Sequence, residues 1–318
     1  MNKLLILAYN EEELIGKTIE QNLNIFDEII VINDKSTDKT LEIVKTISKK
    51  NSKVKLINNE KNYGPGKSLK IGIDYALTSN CKFIVKIDGD NQFEQSDIFN
   101  ILEIANKHGI DFIKGDRFWP GGIIGKMPKI RFLGNAFASL LIKFVTGNRN
   151  INDPLNGLFL FSRNLAEEIE IPKMFNRYGY PFYINALINK LSLRKKIDTK
   201  QYRNKISYGT EISHLNPFLI FIKLIVFSIT FFISFIKEKL KYSDYQLSAL
   251  LDISSIISIL FSIFCLIRAF IIRFSFVEGN QGAWFILFNI FLILFFTLIL
   301  SSRKSIKNIT DNKFSYLN

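Results

Sequence analysis

Cysteine and histidine are scarce, with two of each in 318 residues. Cys81 precedes an apolar run and Cys265 lies inside another, so they form neither a disulfide framework nor a thiolate metal site. His108 and His214 have no partner at a spacing that suits a metal ligand or a base. Acidic residues are the minority. Twenty-nine Asp and Glu stand against 42 Lys and Arg, for a formal net charge of +13. A basic balance of this kind fits nucleic acid, anionic lipid or phosphorylated substrates. The aromatic-rich segments read as core or lipid-facing surface, so no nucleic-acid partner is expected. No secretory apolar region precedes the first strand-like run, Met1–Ala8, and the N-terminal domain is expected in the cytosol.

Charge itself disappears in the C-terminal third. Gly279–Ser302 contains no charged residue, and about 20 apolar residues suffice to cross a bilayer. Leu247–Ile267 is a second candidate span, interrupted by Asp252. Pro217–Ile236 is a third apolar stretch, but Asn216, Lys223, Thr230 and Lys237 recur every seven residues along it. One narrow polar stripe suits a helix lying in the interface, although a third span stays open. With two spans, the cluster Lys237, Lys239, Lys241 and the cluster Arg303, Lys304, Lys307 share the cytosolic side, while Arg273 and Glu278 lie outside. The expected organisation is an N-terminal domain over 1–210, an amphipathic juxtamembrane segment over 211–241, a transmembrane hairpin over 242–303 and a basic cytosolic tail over 304–318.

The N-terminal part alternates short apolar runs with amphipathic stretches. Strands are predicted at Leu4–Ala8, Glu28–Asn33, Val54–Ile57, Lys82–Asp88 and Asp111–Lys114. Between them, helices place Ile15, Ile19 and Leu23, then Leu41, Val44 and Ile47, then Leu69, Ile73 and Ala76, then Ile98, Ile101 and Ala105 on their inner faces. Repeated β-α-β implies an α/β fold, a mostly parallel sheet with helices on both faces. Ligands on such sheets sit at the carboxyl ends of the strands.

Polar clusters fall at those ends. Asp88-Gly89-Asp90-Asn91-Gln92 ends the fourth strand, and two carboxylates two residues apart can address one divalent cation. Alone, the pair is also what an exposed turn favours. Ala8-Tyr9-Asn10-Glu11 ends the first strand, and Asn33 to Thr40 ends the second. Asn62-Tyr63-Gly64-Pro65-Gly66 opens the third helix. Ser36-Thr37-Asp38 could simply cap a helix. Four such clusters on one edge suggest a nucleotide pocket.

In motif order, residues 4–163 resemble the family 2 glycosyltransferases of the GT-A fold, and most closely their dolichol-phosphate mannose synthase and polyprenyl-phosphate glycosyltransferase branch. The opening Ala-Tyr-Asn-Glu-Glu is Ala8–Glu12. Asn33–Asp38 matches Asp-Asp-Gly-Ser-x-Asp, with Asn33 for the first Asp and Lys35 for the Gly. Asn62–Gly66 matches Asn-x-Gly-x-Gly, and Asp88, Asp90 and Gln92 match Asp-x-Asp-x-Gln. Gly115-Asp116-Arg117, then Asp153, Gly157 and Ser162-Arg163, complete the series. The resemblance implies that Ala8, Tyr9, Glu11 and Asp34 line the base and ribose pocket of a UDP- or GDP-sugar. Asp88, Asp90 and Gln92 would hold Mg²⁺ or Mn²⁺ and the diphosphate.

On the acceptor side, Arg117 and Arg131 are candidates for a lipid phosphate, because guanidinium groups meet phosphate oxygens in bidentate fashion. Arg131, Asn135 and Ser139 share one helix face, and Ile130, Leu133, Phe137 and Leu141 the other. The polar face could equally be solvated. The leading reading is an inverting, metal-dependent transfer to a polyprenyl phosphate. A hydroxyl acceptor would need a base, for which Asp153 is the candidate. A membrane scaffold with an inactive transferase domain is the third reading, and homo-oligomerisation is left open.

Overall fold

A computed structural model of the protein describes residues 1–125, 127–207, 217–274, 279–306 and 313–317. His214, Asn216, Glu278 and Lys307 fall outside the described residues. The N-terminal domain opens with β1 (Asn2–Ala8), α1 (Ile15–Asn22), β2 (Glu28–Asn33), α2 (Thr40–Lys50), β3 (Val54–Asn58), α3 (Pro65–Leu77), β4 (Phe83–Asp88), α4 (Gln95–His108) and β5 (Phe112–Asp116). It continues through β6 (Ile123–Ile124), α5 (Lys129–Thr146), β7 (Phe159–Ser162), α6 (Arg163–Ala166), α7 (Tyr180–Leu191), β8 (Thr199–Arg203) and β9 (Ile206–Ser207). Three long helices follow, α8 (Pro217–Lys239), α9 (Ser243–Phe274) and α10 (Gln281–Ser305), and then β10 (Ser315–Tyr316).

Eight strands form the main sheet in the order β10-β8-β5-β7-β4-β1-β2-β3. All pairings are parallel except those of β7, which runs antiparallel to both β4 and β5. The chain leaving α5 passes Asp153 to Gly157 at the carboxyl edge, so it enters the sheet from that edge and must run the opposite way. The inner strands are apolar on both faces, as a sheet covered on both sides requires. Leu5 and Leu7 of β1 point to one core with Leu69 and Ile73 of α3. Leu4 and Ile6 point to the other, with Ile15, Ile19, Ile98 and Ile101.

Two features of the second half of the domain bear on the site. Within the segment expected as a basic tail over 304–318, Ser315 and Tyr316 form β10, which pairs with β8. A two-residue strand so far along the chain leaves no periodic signal. On α5 the polar face turns inward. Asn135 is only 3% exposed, while Ile130 and Leu133 are 60% and 65% exposed. A solvated helix would show the reverse, and an outward apolar face suits a lipid-facing surface.

Three helices, Phe218–Lys239, Ser243–Phe274 and Gln281–Ser305, are long and apolar enough to cross a membrane. α9 and α10 form an antiparallel hairpin. Ser248 Oγ meets Ser302 Oγ at 2.8 Å, Ser258 Oγ donates to the Phe291 carbonyl at 2.7 Å, and Ser262 Oγ to that of Phe288 at 3.0 Å. α8 instead lies on the N-terminal domain. Its Phe227 meets Phe175 and Phe182, Phe221 stacks near Phe137 of α5 and Phe232 near Phe144. Its opposite face exposes Phe218, Leu219, Ile222, Val226, Ile229 and Ile233.

A buried charge cluster fastens the hairpin to this assembly. Asp252 accepts from Lys239 Nζ at 2.8 Å and pairs with Arg303 at 3.2 Å. Arg303 also donates to the Phe144 carbonyl of α5 at 2.9 Å. Asp252, which interrupts the apolar run in sequence, thus has two cations for partners, as a buried carboxylate needs.

Candidate functional site

The carboxyl ends of β4, β1 and β2 lie side by side. Leu7 is in register with Asp88 and Ala8 with Asn33, so the polar segments after these strands are neighbours. The loops after β1 and β2 are laced together. The Glu11 amide donates to Thr40 Oγ1 at 2.8 Å and the Glu12 amide to Asp38 Oδ2 at 3.1 Å. The Thr37 amide donates to Asn10 Oδ1 at 2.8 Å. Tyr9 projects from the rim, exposed, beside buried Ala8.

Asp34 is buried and binds the chain after β3. Its carboxylate accepts from Asn59 Nδ2 at 2.7 Å, the Tyr63 amide at 2.9 Å and the Gly64 amide at 2.7 Å. It therefore shapes the Asn62–Gly66 turn. Gly66 is required there by contact, since a Cβ would lie 1.9 Å from the Phe175 carbonyl oxygen. Lys35 has a left-handed backbone, φ 61°, at the position where the family pattern carries glycine. Asn33, in place of the pattern's first Asp, is buried and donates to Asn58 Oδ1 at 2.6 Å. The substitution makes a neutral link between β2 and β3.

The Asp88–Gln92 loop turns through a left-handed Asn91, φ 51°, and the Gln92 amide donates to Asp90 Oδ1 at 3.2 Å. β9 holds its far end through the Ser207 amide and the Gln92 carbonyl, 3.2 Å. Below it lie two residues with no assigned role in the sequence reading, Lys86 and Tyr180. Lys86 Nζ is fully buried and donates to Asp88 Oδ1 at 2.7 Å, the Gly157 carbonyl at 3.1 Å and Tyr180 Oη at 2.6 Å. Burial alone would lower the Lys86 pKa, but Asp88 and Tyr180 outweigh it and hold it above the usual lysine range. Burial pushes the Tyr180 phenol up to about 12. Lys86 therefore stays cationic and fixes one oxygen of Asp88. The other oxygen faces bare Gly157, where a Cβ would lie 2.6 Å from it.

That open side bears on a metal ion. Asp88, Asp90 and Gln92 offer oxygen donors only, which suits a hard divalent cation. Among the described residues no group of three His, Cys, Asp or Glu gathers as a protein-only metal cage. Two carboxylates and open positions for phosphate oxygens and water fit the way Mg²⁺ is usually held.

Arg117 and Asp153 meet on the other side of Gly157. The Arg117 amide donates to Asp153 Oδ2 at 3.0 Å, Nε to the same oxygen at 2.7 Å, and Nη2 to Oδ1 at 3.0 Å. Asn156 Nδ2 adds a bond to Oδ2 at 2.9 Å. Burial raises the Asp153 pKa, but the Arg117 guanidinium prevails and holds the carboxyl below the usual range. Such an aspartate is a poor base. Both Asp153 oxygens are committed to these bonds, and the carboxylate anchors Arg117. The pair forms the floor of a cavity of about 610 Å³, walled by Phe118, Trp119, Ile123, Phe132 and Ala136. Ser139 and Asn152 also line it. Arg131 is half-buried one turn before Asn135 on the same face of α5.

Residues 4–170 match the sequence profile described as Glycosyl transferase family 2. The chain belongs to this family. An uncharacterized protein of Methanocaldococcus jannaschii is 30% identical over 228 residues, 70% of this chain and 90% of that protein. The UDP-N-acetylglucosamine–dolichyl-phosphate N-acetylglucosaminyltransferase of Methanococcus voltae is 27% identical over 240 residues, 70% of this chain and 94% of that protein. The dolichol-phosphate mannosyltransferase of Pyrococcus furiosus is 30% identical over 190 residues, 58% of this chain and 51% of that protein. In this glycosyltransferase the matched region ends near α6, so α7 with Tyr180, α8 and the hairpin all lie beyond it.

Proposed function

We propose that the protein transfers a sugar from a nucleotide-sugar donor to the phosphate of a polyprenyl lipid, with inversion, at the cytosolic face of a membrane. One observation carries the reading. A cavity with a guanidinium on its floor and aromatic walls lies beneath a helix whose outward face is apolar, and its wall residue Ile123 belongs to β6, which pairs with the same β9 that binds the Gln92 carbonyl. The two relatives whose names include dolichyl or dolichol phosphate support the same acceptor class.

The chemistry follows from the groups present. A phosphate oxygen of the acceptor attacks the anomeric carbon, and the bond from that carbon to the donor diphosphate breaks. The acceptor is already an anion near neutral pH and needs orientation more than a strong base. Arg117, held by Asp153, and Arg131 would orient it. Ala8, Tyr9, Glu11 and the turn shaped by Asp34 would seat the donor nucleotide. Mg²⁺ or Mn²⁺ held by Asp88, Asp90 and Gln92 would offset the charge of the departing diphosphate.

The test is to incubate membranes containing the protein with a panel of labelled UDP- and GDP-sugars and polyprenyl phosphate, and to identify the lipid product. Arg131→Ala should weaken acceptor use by on the order of 1.5–3 kcal/mol, the worth of a charge-assisted contact, with donor binding unchanged. Lys at 131 should restore only part, because it lacks the planar fork. An unchanged acceptor dependence would remove Arg131 from the site.

The proposed topology has α8 in the interface and α9–α10 crossing. The shared cluster of Lys239, Asp252 and Arg303 supports it, since it joins the last residue of α8, the first third of α9 and the last turn of α10 beside α5. Impermeant thiol labelling should then modify Lys107→Cys and Lys304→Cys from one side of the membrane and Gly279→Cys from the other. Labelling of Gly279→Cys from the same side as Lys107→Cys would reject the hairpin.

A further inference from the structure

Residues 313–317 follow both helices of the hairpin, yet they complete the catalytic sheet. Ser315 and Tyr316 pair with Lys200 and Gln201 of β8. Phe314 is buried against Phe112, with ring centroids 5.9 Å apart, and its amide donates to Thr199 Oγ1 at 2.9 Å. Its carbonyl accepts from Gln201 Nε2 at 2.7 Å, and Lys313 Nζ donates to the Ser192 carbonyl at 3.0 Å. One apolar anchor and a two-residue ladder give such a strand little stability of its own. What its tip touches is more informative.

The Tyr316 hydroxyl sits between the two segments that carry the Arg117–Asp153 pair. It donates to Asp116 Oδ2 and accepts from Asn152 Nδ2 at 2.7 Å. Asp116 immediately precedes Arg117, and its other oxygen accepts the Phe118 amide at 2.9 Å, so Arg117 lies inside a turn closed by that carboxylate. Asn152 immediately precedes Asp153 and lines the cavity. Its own amide is held by Gln201 Oε1 at 2.9 Å. The Arg203 guanidinium covers the Tyr316 ring at 4.8 Å from its centre. Burial, with the bond to Asp116, pushes the phenol up to about 12, so it remains a donor at neutral pH.

We propose that Tyr316 is a positioning residue for the acceptor site. By joining Asp116 to Asn152 it fixes the spacing of the two backbone segments from which Arg117 and Asp153 project. It thereby couples the segment after the hairpin to recognition of the acceptor phosphate. The proposal rests on the reading of Arg117 as a ligand of that phosphate.

The experiment uses the full chain in detergent and makes two measurements. The first is disulfide trapping between Lys200→Cys and Ser315→Cys, which reads the docking of β10 without any substrate. The second is equilibrium binding of farnesyl phosphate, a short polyprenyl phosphate, and of UDP and GDP, to wild type, Tyr316→Phe and Arg117→Ala. The disulfide should form. Tyr316→Phe keeps the ring and the strand, so it should bind farnesyl phosphate about tenfold more weakly with unchanged nucleotide affinity, and the two lost hydrogen bonds should lower the melting temperature only modestly. Absence of the disulfide overturns the proposal. So does wild-type farnesyl-phosphate affinity in Tyr316→Phe when Arg117→Ala has lost it, an outcome that leaves the acceptor reading standing. Parallel loss of both ligands with a strongly lowered melting temperature reduces Tyr316 to a fold contact and also overturns it. If wild type does not bind farnesyl phosphate, or Arg117→Ala binds it normally, the acceptor reading falls and the positioning role falls with it.

Discussion

Asp90→Asn is expected to leave the fold in place and to reduce sugar transfer by on the order of 10²–10³-fold, the usual cost of removing one preorganised group that stabilises developing charge. The choice between the two carboxylates matters. Asp88 carries the ion pair to Lys86, whose ammonium is buried and also held by Tyr180 and the Gly157 carbonyl. Removing that charge would strand a buried cation and confuse folding with chemistry. Asp90 is half-buried on the turn above, and its Oδ1 bond from the Gln92 amide is one that an Asn oxygen can also accept. The change therefore removes charge while keeping shape. Circular dichroism and melting should match wild type while product formation collapses. Full wild-type turnover in excess EDTA would sink the metal assignment, and a normal rate in Asp90→Asn would sink the diphosphate site itself.

The same loop shows what was legible in sequence. Asp88, Asp90 and Gln92 announce themselves because they follow a strand and are close together in the chain. Lys86 leaves only a faint mark, a lysine inside the run Phe-Ile-Val-Lys-Ile-Asp, on the strand face of Asp88 two residues later. Its partner Tyr180 is 94 residues away, and no local pattern can pair them. The first five strands and four helices were readable because apolar strands alternate with amphipathic helices, and Glu28–Asn33 was found with its boundaries.

Beyond β5 that logic fails for identifiable reasons. β8 reads Thr-Lys-Gln-Tyr-Arg, with no apolar period, because its buried side is polar. Gln201 accepts from the Asn152 amide and donates to the Asn150 carbonyl. The spacing of Arg131, Asn135 and Ser139 correctly gave a polar face to α5. Which side that face turns toward depends on the cavity and the apolar surroundings of the helix, neither of which is written in the spacing. The pairing of Asp153 with Arg117 leaves no local mark in the sequence, because the two are 36 residues apart.

Asp153→Asn should be strongly destabilising, by roughly 3–5 kcal/mol, because it leaves the Arg117 guanidinium buried without its counter-ion. The backbone is not the cause. Asp153 has a left-handed conformation, φ 43°, which Asn adopts at least as readily. Size is not the cause either, since the side chains are nearly isosteric. The loss is of charge in a site where Asp153 is fully enclosed and Arg117 nearly so. The same pair dictates a pH dependence. The carboxyl is held below its usual range in the folded protein, so its contribution is fully present above the unfolded value of about 3.9. It is lost as pH falls through the lower folded value. The stability gap between wild type and Asp153→Asn should be constant from neutral pH down to about 5 and should close in stronger acid. Denaturant unfolding of the two proteins across that range measures it, and a gap that persists unchanged at about pH 2 would exclude the charge as its source. Adding Arg117→Leu to Asp153→Asn should recover part of the lost stability, since removing both partners leaves no unpaired charge. The double variant should still fail with a polyprenyl phosphate, because the guanidinium proposed to meet the acceptor is gone. Recovery of stability without recovery of acceptor use would separate the two roles of Arg117, as the partner that keeps Asp153 ionised and as the proposed ligand of the phosphate.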